Sequence, residues 1–191
     1  SQLWGVTALR LANADLLPFD FASYAANVRQ FVNDLASKNN VILSGGEAGA
    51  KDPTKDCATC APSGTASNPL DLSDIQKAIT NFESAGKQLN DSLTRTLATG
   101  PIDPKLASTL NHGMMQVERN WLNPDGIPGR PWFKHILYGA RFTYAHLELP
   151  GLTETVEAQD WPTAKQQAEI LHRALEKNTK LLNELNSALT P

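Results

Sequence analysis

The chain is poor in the residues that carry most protein chemistry: over 191 positions it has two cysteines, four histidines and two methionines, and only 7% of it is aromatic. Charge of one sign is scarce too. With 17 basic against 20 acidic residues the net charge is −3, which lacks the positive field that draws nucleic-acid phosphates or an anionic bilayer, so no nucleic-acid partner is expected. No apolar run reaches the roughly 18 residues of a spanning helix and no basic-then-apolar leader opens the chain, so no direct membrane contact of this segment is expected. No Gly-rich phosphate loop follows a strand pattern and no Gly-x-Ser-x-Gly elbow is present, which removes motif support for nucleotide binding and serine hydrolysis. No two histidines stand one helical turn apart around a carboxylate, the spacing of a helical zinc site. A self-contained metalloenzyme is therefore not expected.

What is present is helical periodicity in a chain of single-domain size, 41% apolar. The plainest case is a seam of Ala164, Ala168, Leu171, Leu175, Asn178, Leu182, Leu185 and Leu189, spaced alternately four and three apart, flanked by Ile170, Ala174, Leu181 and Ala188. A stripe wider than two positions predicts a helix buried on more than one neighbour, opened by Asp160 and Pro162. A second helix is predicted from Asp71 to Leu97 along Leu72, Ile75, Ile79, Phe82, Gly86, Leu89 and Leu93, with Asp71 as cap and Gly86 marking a bend or another backbone close by. Asp103-Pro104 opens a third, along Leu106, Leu110, Gly113, Met114, Val117 and Trp121, ended by Asn123-Pro124-Asp125-Gly126. Upstream, Pro18-Phe19-Asp20 introduces a helix with Phe21, Tyr24, Val28, Phe31, Val32 and Leu35 on one side, closing near Asn39-Asn40. The predicted fold is all-α, a bundle of four main helices with a long ordered loop, 122 to 160, between the helices opened by Asp103 and Asp160.

Residues 39–70 carry Gly45-Gly46, Gly49, Pro53, Pro62, Ser63-Gly64 and Asn68-Pro69 and read as a flexible surface insertion. Within it, Cys57-Ala58-Thr59-Cys60 favours a structural disulfide, with free thiols the alternative: the second half of a zinc site is missing and the strand–helix setting of a redox pair is absent. A disulfide would imply an oxidising compartment. Asn90-Asp91-Ser92 is a glycosylation acceptor pattern consistent with one. His112 and His172 read as ordinary helix residues without an acidic partner at ligand spacing, while His135 and His146 fall on the long loop. The apolar opening around Leu3, Trp4, Leu9 and Leu11 has no cap before it, and reads either as packing on a preceding domain or as a mature N-terminus left by leader cleavage.

The run Glu118-Arg119-Asn120-Trp121-Leu122-Asn123-Pro124-Asp125-Gly126-Ile127-Pro128-Gly129-Arg130-Pro131-Trp132-Phe133-Lys134-His135-Ile136-Leu137-Tyr138, with Pro150-Gly151-Leu152 beyond it, resembles the transferrin-receptor-like dimerisation domain. The likeness is to the version at the C-terminus of glutamate carboxypeptidase II and related zinc peptidases, and Leu11-Ala12-Asn13 with Leu17-Pro18-Phe19-Asp20 resembles that family's lead-in. It covers nearly the whole chain, as one domain over 1–191 with 1–19 leading in from a peptidase domain; the cysteine pair is outside the family pattern.

The resemblance implies a helical bundle that pairs with its twin in a homodimer, within a single-pass membrane protein whose ectodomain lies outside the cell or in a secretory or vacuolar lumen. It places two zinc ions and the general base in the upstream peptidase domain, so this chain would hold no metal, no cofactor and no catalytic residue, and would be part of a zinc-dependent carboxypeptidase or aminopeptidase without being the enzyme itself. Its share of the substrate pocket would be the long loop. Tyr144, six positions before Pro150-Gly151, stands at the family's pocket tyrosine, its hydroxyl able to bind a substrate carboxylate, and Thr143 stands where the family has lysine. Arg141 is the nearest residue able to grip a carboxylate with a forked contact. The alternative is the same domain in a non-catalytic receptor or sorting protein, and a third reading is a free-standing secreted helical factor. In the leading reading the apolar stripes are too broad for one copy to cover, and self-pairing completes their burial.

Overall fold

A computed structural model describes residues 2–43, 70–140 and 146–189. The described residues form α1 (Gln2–Ala12), α2 (Phe21–Leu43), α3 (Ser73–Thr99), α4 (Pro104–Arg119), a hairpin of β1 (Tyr138–Ala140) and β2 (His146–Glu148), α5 (Pro150–Glu157) and α6 (Trp161–Ala188). The four long helices match the four predicted stripes. The region read as one long ordered loop instead contains the hairpin and α5. Pro150 falls within that span, yet it is the first residue of α5, where its missing N–H costs no intrahelical bond.

Local signals set the helix starts. Asp103 accepts the Leu106 N–H at 3.0 Å and Asp160 accepts that of Thr163 at 3.2 Å, each ahead of a proline in the first turn. Asp20 caps α2 twice over, one oxygen accepting the Ala22 and Ser23 N–H groups at 3.1 Å and the other the Ser23 hydroxyl at 2.6 Å. At α3 the boundary residue is Leu72, and Asp71 accepts from Ser73 N–H at 2.8 Å, one position earlier than a capping residue would stand. The α2 helix runs to Leu43, past the expected close at Asn39-Asn40.

Packing follows the stripes. The α3 helix packs on α2 and α6, and α6 also takes α4 and α5, which accounts for the breadth of its apolar face. All of its predicted seam is buried except Leu189, which is half-buried. At the junction of α2, α3 and the end of α4, Tyr24 stacks on Trp121 at 6.1 Å while Phe82 meets both rings edge-on. Phe82 and Trp121 are fully buried. Gly86 marks a close approach: a Cβ there would stand 2.9 Å from backbone atoms of Phe21 and Ala22, where α2 starts.

One polar cluster interrupts this core. Asn178 on α6 accepts from Asn120 Nδ2 at 2.7 Å and donates to the Val117 carbonyl at 3.3 Å. The α4 helix ends at Arg119, so Val117 offers one of its final carbonyls, and a side chain from α6 completes that end. Asn178 is 0% exposed.

On the flank of the broad α6 stripe Ile170 and Leu181 stay half-buried and Ala188 exposed, so one copy covers that stripe only in part. The seams of α3 and α6 are covered from within, apart from Leu97 on α3, which is 49% exposed, and Leu189 just past α6, which is half-buried. The apolar surface that remains is concentrated on α1, where Leu3, Trp4, Val6, Leu9 and Leu11 are between 46% and 79% exposed, with Phe19, Met115, Leu122 and Trp132 elsewhere. No described helix is long and apolar enough to cross a membrane.

Candidate functional site

Between α4 and α6 the chain folds back on itself twice. Asn123 turns it, with Gly126 N–H donating to the Asn123 carbonyl at 3.0 Å. Gly126 takes φ +75°, and a Cβ on it would stand 2.5 Å from the Pro131 carbonyl oxygen, so glycine is required on both counts. Lys134 closes the turn by donating from Nζ to the carbonyls of Pro124 and Pro131. The returning segment pairs Leu122 with His135 and leads into β1, which pairs antiparallel with β2: Tyr138 opposite Glu148, Gly139 opposite Leu147, Ala140 opposite His146.

Two polar anchors hold this hairpin to the helices. In the first, Arg130 Nη2 donates to both carboxylate oxygens of Glu154 on α5, at 2.5 and 2.6 Å, and its Nη1 donates to the Ala140 carbonyl at 3.1 Å. The guanidinium also lies over the Phe133 ring, 5.7 Å from its centroid. In the second, His135 Nδ1 accepts the N–H groups of Leu137 and Tyr138 at 3.3 and 3.2 Å, and its Nε2 is 3.0 Å from Glu118. Accepting at Nδ1 puts the ring proton on Nε2, so Nε2–H donates to the carboxylate. The other Glu118 oxygen accepts from the Tyr24 hydroxyl at 3.0 Å, joining α2, α4 and the hairpin.

Electrostatics follow from burial and from this carboxylate. The Tyr24 phenol is pushed far above its ordinary value, first by burial and then by the Glu118 charge it faces, so it stays a donor at any ordinary pH. Tyr138, stacked on His135 and tilted against His146, is also raised, by burial and then by Glu118 and Glu148. His146 stands 3.4 Å from Glu148 across one face of β2.

The predicted pocket residues Arg141 and Tyr144 lie outside the described residues, as do Cys57 and Cys60; the described strands bring the flanks of 141–145, Ala140 and His146, opposite each other. Asn90 is on α3, where its amide donates to the Asp20 carboxylate at 3.0 Å. His112 meets the Ser108 carbonyl at 2.8 Å. His172 does have an acidic neighbour, Glu176 one turn along at 3.9 Å, contrary to the sequence reading. Among the described residues no three His, Cys, Asp or Glu side chains gather as metal donors, so these residues do not fit a zinc site. An open groove of about 860 Å³ between α3 and α6 is lined by charges of both signs, and it shares no residue with the hairpin. Arg130, Glu118 and His135 all stand in the 118–138 motif, where nothing in their local spacing marks them as anchors.

A family model described as the transferrin receptor-like dimerisation domain matches residues 70–183, more than half of the chain. The chain belongs to that family. The matched dimerisation domain takes in α3 through most of α6, with the hairpin and both anchors' main partners inside it, while Tyr24 on α2 lies outside it. Among its relatives, a probable glutamate carboxypeptidase of Zea mays, VP8, is 27% identical over 99% of the chain, which spans 23% of that protein. Another, LAMP1 of Arabidopsis thaliana, is 24% identical over 82% of the chain and 19% of its own length. A more distant relative, from Schizosaccharomyces pombe, is described as an inactive zinc metalloprotease, at 20% identity over 92% of the chain and 20% of its own length. The chain thus spans about a fifth of the curated relatives it matches.

Proposed function

We propose that this domain is the homodimerisation domain of a glutamate-carboxypeptidase-like zinc metallopeptidase, contributing a substrate-pocket loop while the two zinc ions and the reacting groups belong to an upstream peptidase domain. The observation that carries the reading is the family match across residues 70–183, joined to relatives named as glutamate carboxypeptidases that are more than four times as long. In this reading the segment 141–145 faces the substrate: Tyr144 donates from its hydroxyl to a carboxylate at the C-terminal side of the peptide, and Arg141 adds a charged contact. The twice-anchored hairpin supports this, because a contact loop discriminates only when its base is fixed. The exposed apolar face of α1 supports an upstream neighbour, against which Leu3, Trp4 and Leu9 would be covered. We further propose an extracellular, secretory or vacuolar location within a single-pass membrane protein.

The test is made on the intact protein. Light scattering at micromolar concentration should give twice the protomer mass, and peptidase activity should be lost on chelation and return with zinc. Tyr144→Phe should raise KM about tenfold with little change in kcat, since it removes one charge-assisted hydrogen bond used equally by substrate and transition state. A monomer, or an unchanged KM, overturns the corresponding half. The description of the Schizosaccharomyces pombe relative as inactive favours a second reading, a non-catalytic receptor of the same architecture. Zinc-free protein with no turnover of any acidic peptide would select it.

A further inference from the structure

We propose that Arg130 is a positioning residue for substrate binding, fixing the end of the β1–β2 hairpin relative to α5 through its two terminal guanidinium nitrogens; the proposal rests on the reading that this hairpin faces the substrate. Arg130 reaches across two connections in the chain. Nη2 donates to both oxygens of Glu154, and Nη1 donates to the carbonyl of Ala140, the last residue of β1. The pair is well shielded, with side-chain exposures of 22% for Arg130 and 35% for Glu154, so water screens it less than a surface pair.

The surroundings leave the hairpin little freedom on this side. Gly139 packs against Pro150 so closely that a Cβ would stand 3.0 Å from the proline ring, and Leu149 N–H donates to the Leu137 carbonyl at 2.8 Å just before α5 begins. The β1 strand is therefore seated on the start of α5. Arg130 joins the far end of β1 to the same helix one turn further along, at Glu154. Two nitrogens held in one rigid plane set the distance between a carboxylate and a carbonyl; a lysine ammonium keeps the charge but has no second nitrogen to place.

Arg130→Lys in the intact peptidase should raise KM about tenfold with kcat within about threefold of wild type, because misplacing a binding contact weakens substrate and transition state alike. Glu154→Gln should shift KM in the same direction, which keeps the test open if either variant folds poorly. Amide exchange at Leu147 and Leu149 should quicken in both variants while the melting temperature moves by only a few degrees. Unchanged KM in Arg130→Lys, or exchange rates equal to wild type, overturns the positioning role. Tyr144→Phe run alongside separates the two ideas: if exchange quickens but neither Tyr144→Phe nor Arg130→Lys alters KM, the hairpin does not serve the substrate, whereas a Tyr144→Phe effect with a silent Arg130→Lys overturns the positioning role alone.

Discussion

Asn178 offers the sharpest test of how this bundle is held together. Replacing it with alanine removes the acceptor for Asn120 Nδ2 and the donor for the Val117 carbonyl, and both stranded groups belong to buried residues, 8% and 2% exposed. A buried polar group left without a partner costs about 1–3 kcal/mol, so Asn178→Ala should destabilise by about 2–5 kcal/mol, a large part of the roughly 5–15 kcal/mol a domain possesses. Asn120→Ala strands only the Asn178 carbonyl oxygen and the Gln116 amide, the latter on a partly exposed side chain, and should cost about 1–3 kcal/mol. The double variant loses the shared bond once and no longer carries a stranded Asn120 amide, so its cost should fall short of the sum by about 1–2 kcal/mol. Urea unfolding of the four proteins, followed by circular dichroism at equal m-values, measures the cycle. Single costs below about 0.5 kcal/mol, or additivity within about 0.3 kcal/mol, would refute the argument that α6 completes the end of α4.

Three further outcomes follow from other parts of the molecule. The Asp20 carboxyl is held below its ordinary 3.8, first by the Ser23 hydroxyl and then by the Ser23 N–H; a depressed carboxyl contributes stability above that ordinary value and loses it as pH falls through the folded one, so melting temperature should drop below about pH 4, and less steeply in Asp20→Asn. Gly86→Ala forces a Cβ to within 2.9 Å of the α2 backbone and should cost about 1–3 kcal/mol despite better helix propensity, whereas Gly5→Ala, with nothing within 4 Å, should leave the melting temperature unchanged or higher; equal effects at the two sites would contradict the close approach. Nitrogen-15 spectra of histidine-labelled protein at pH 7.5 should show His135 with its proton on Nε2, and a proton on Nδ1 would break the assignment of that nitrogen as acceptor for Leu137 and Tyr138.

The parts of the fold that were legible in sequence are those whose cause is local. Asp103-Pro104 and Asp160-Pro162 announce helix starts because a capping carboxylate and a first-turn proline act within four residues. The long seams were readable because a 3.6-residue period accumulates over several turns. The hairpin was not: three-residue strands carry too few alternations to register, and the close approach of Gly139 to Pro150 arises only when β1 is seated on the start of α5. The α5 helix was hidden for a related reason, since Pro-Gly marks a turn as readily as a helix start. The likeness of the 118–138 motif to the family was likewise legible, while its anchors were not, because Arg130 and Glu154 are separated by a strand pair and meet only when that pair is folded.

Asn178 shows the division in one residue. Its spacing alone placed it on the buried seam of α6, since the pattern of neighbours three and four positions away fixes which side of a helix faces inward. That its amide would find Asn120 and the last carbonyls of α4, rather than stand unpaired among leucines, was decided only when α4 packed against α6. Hydrogen bonds between distant segments depend on the angle and depth at which helices meet, and no local spacing encodes that.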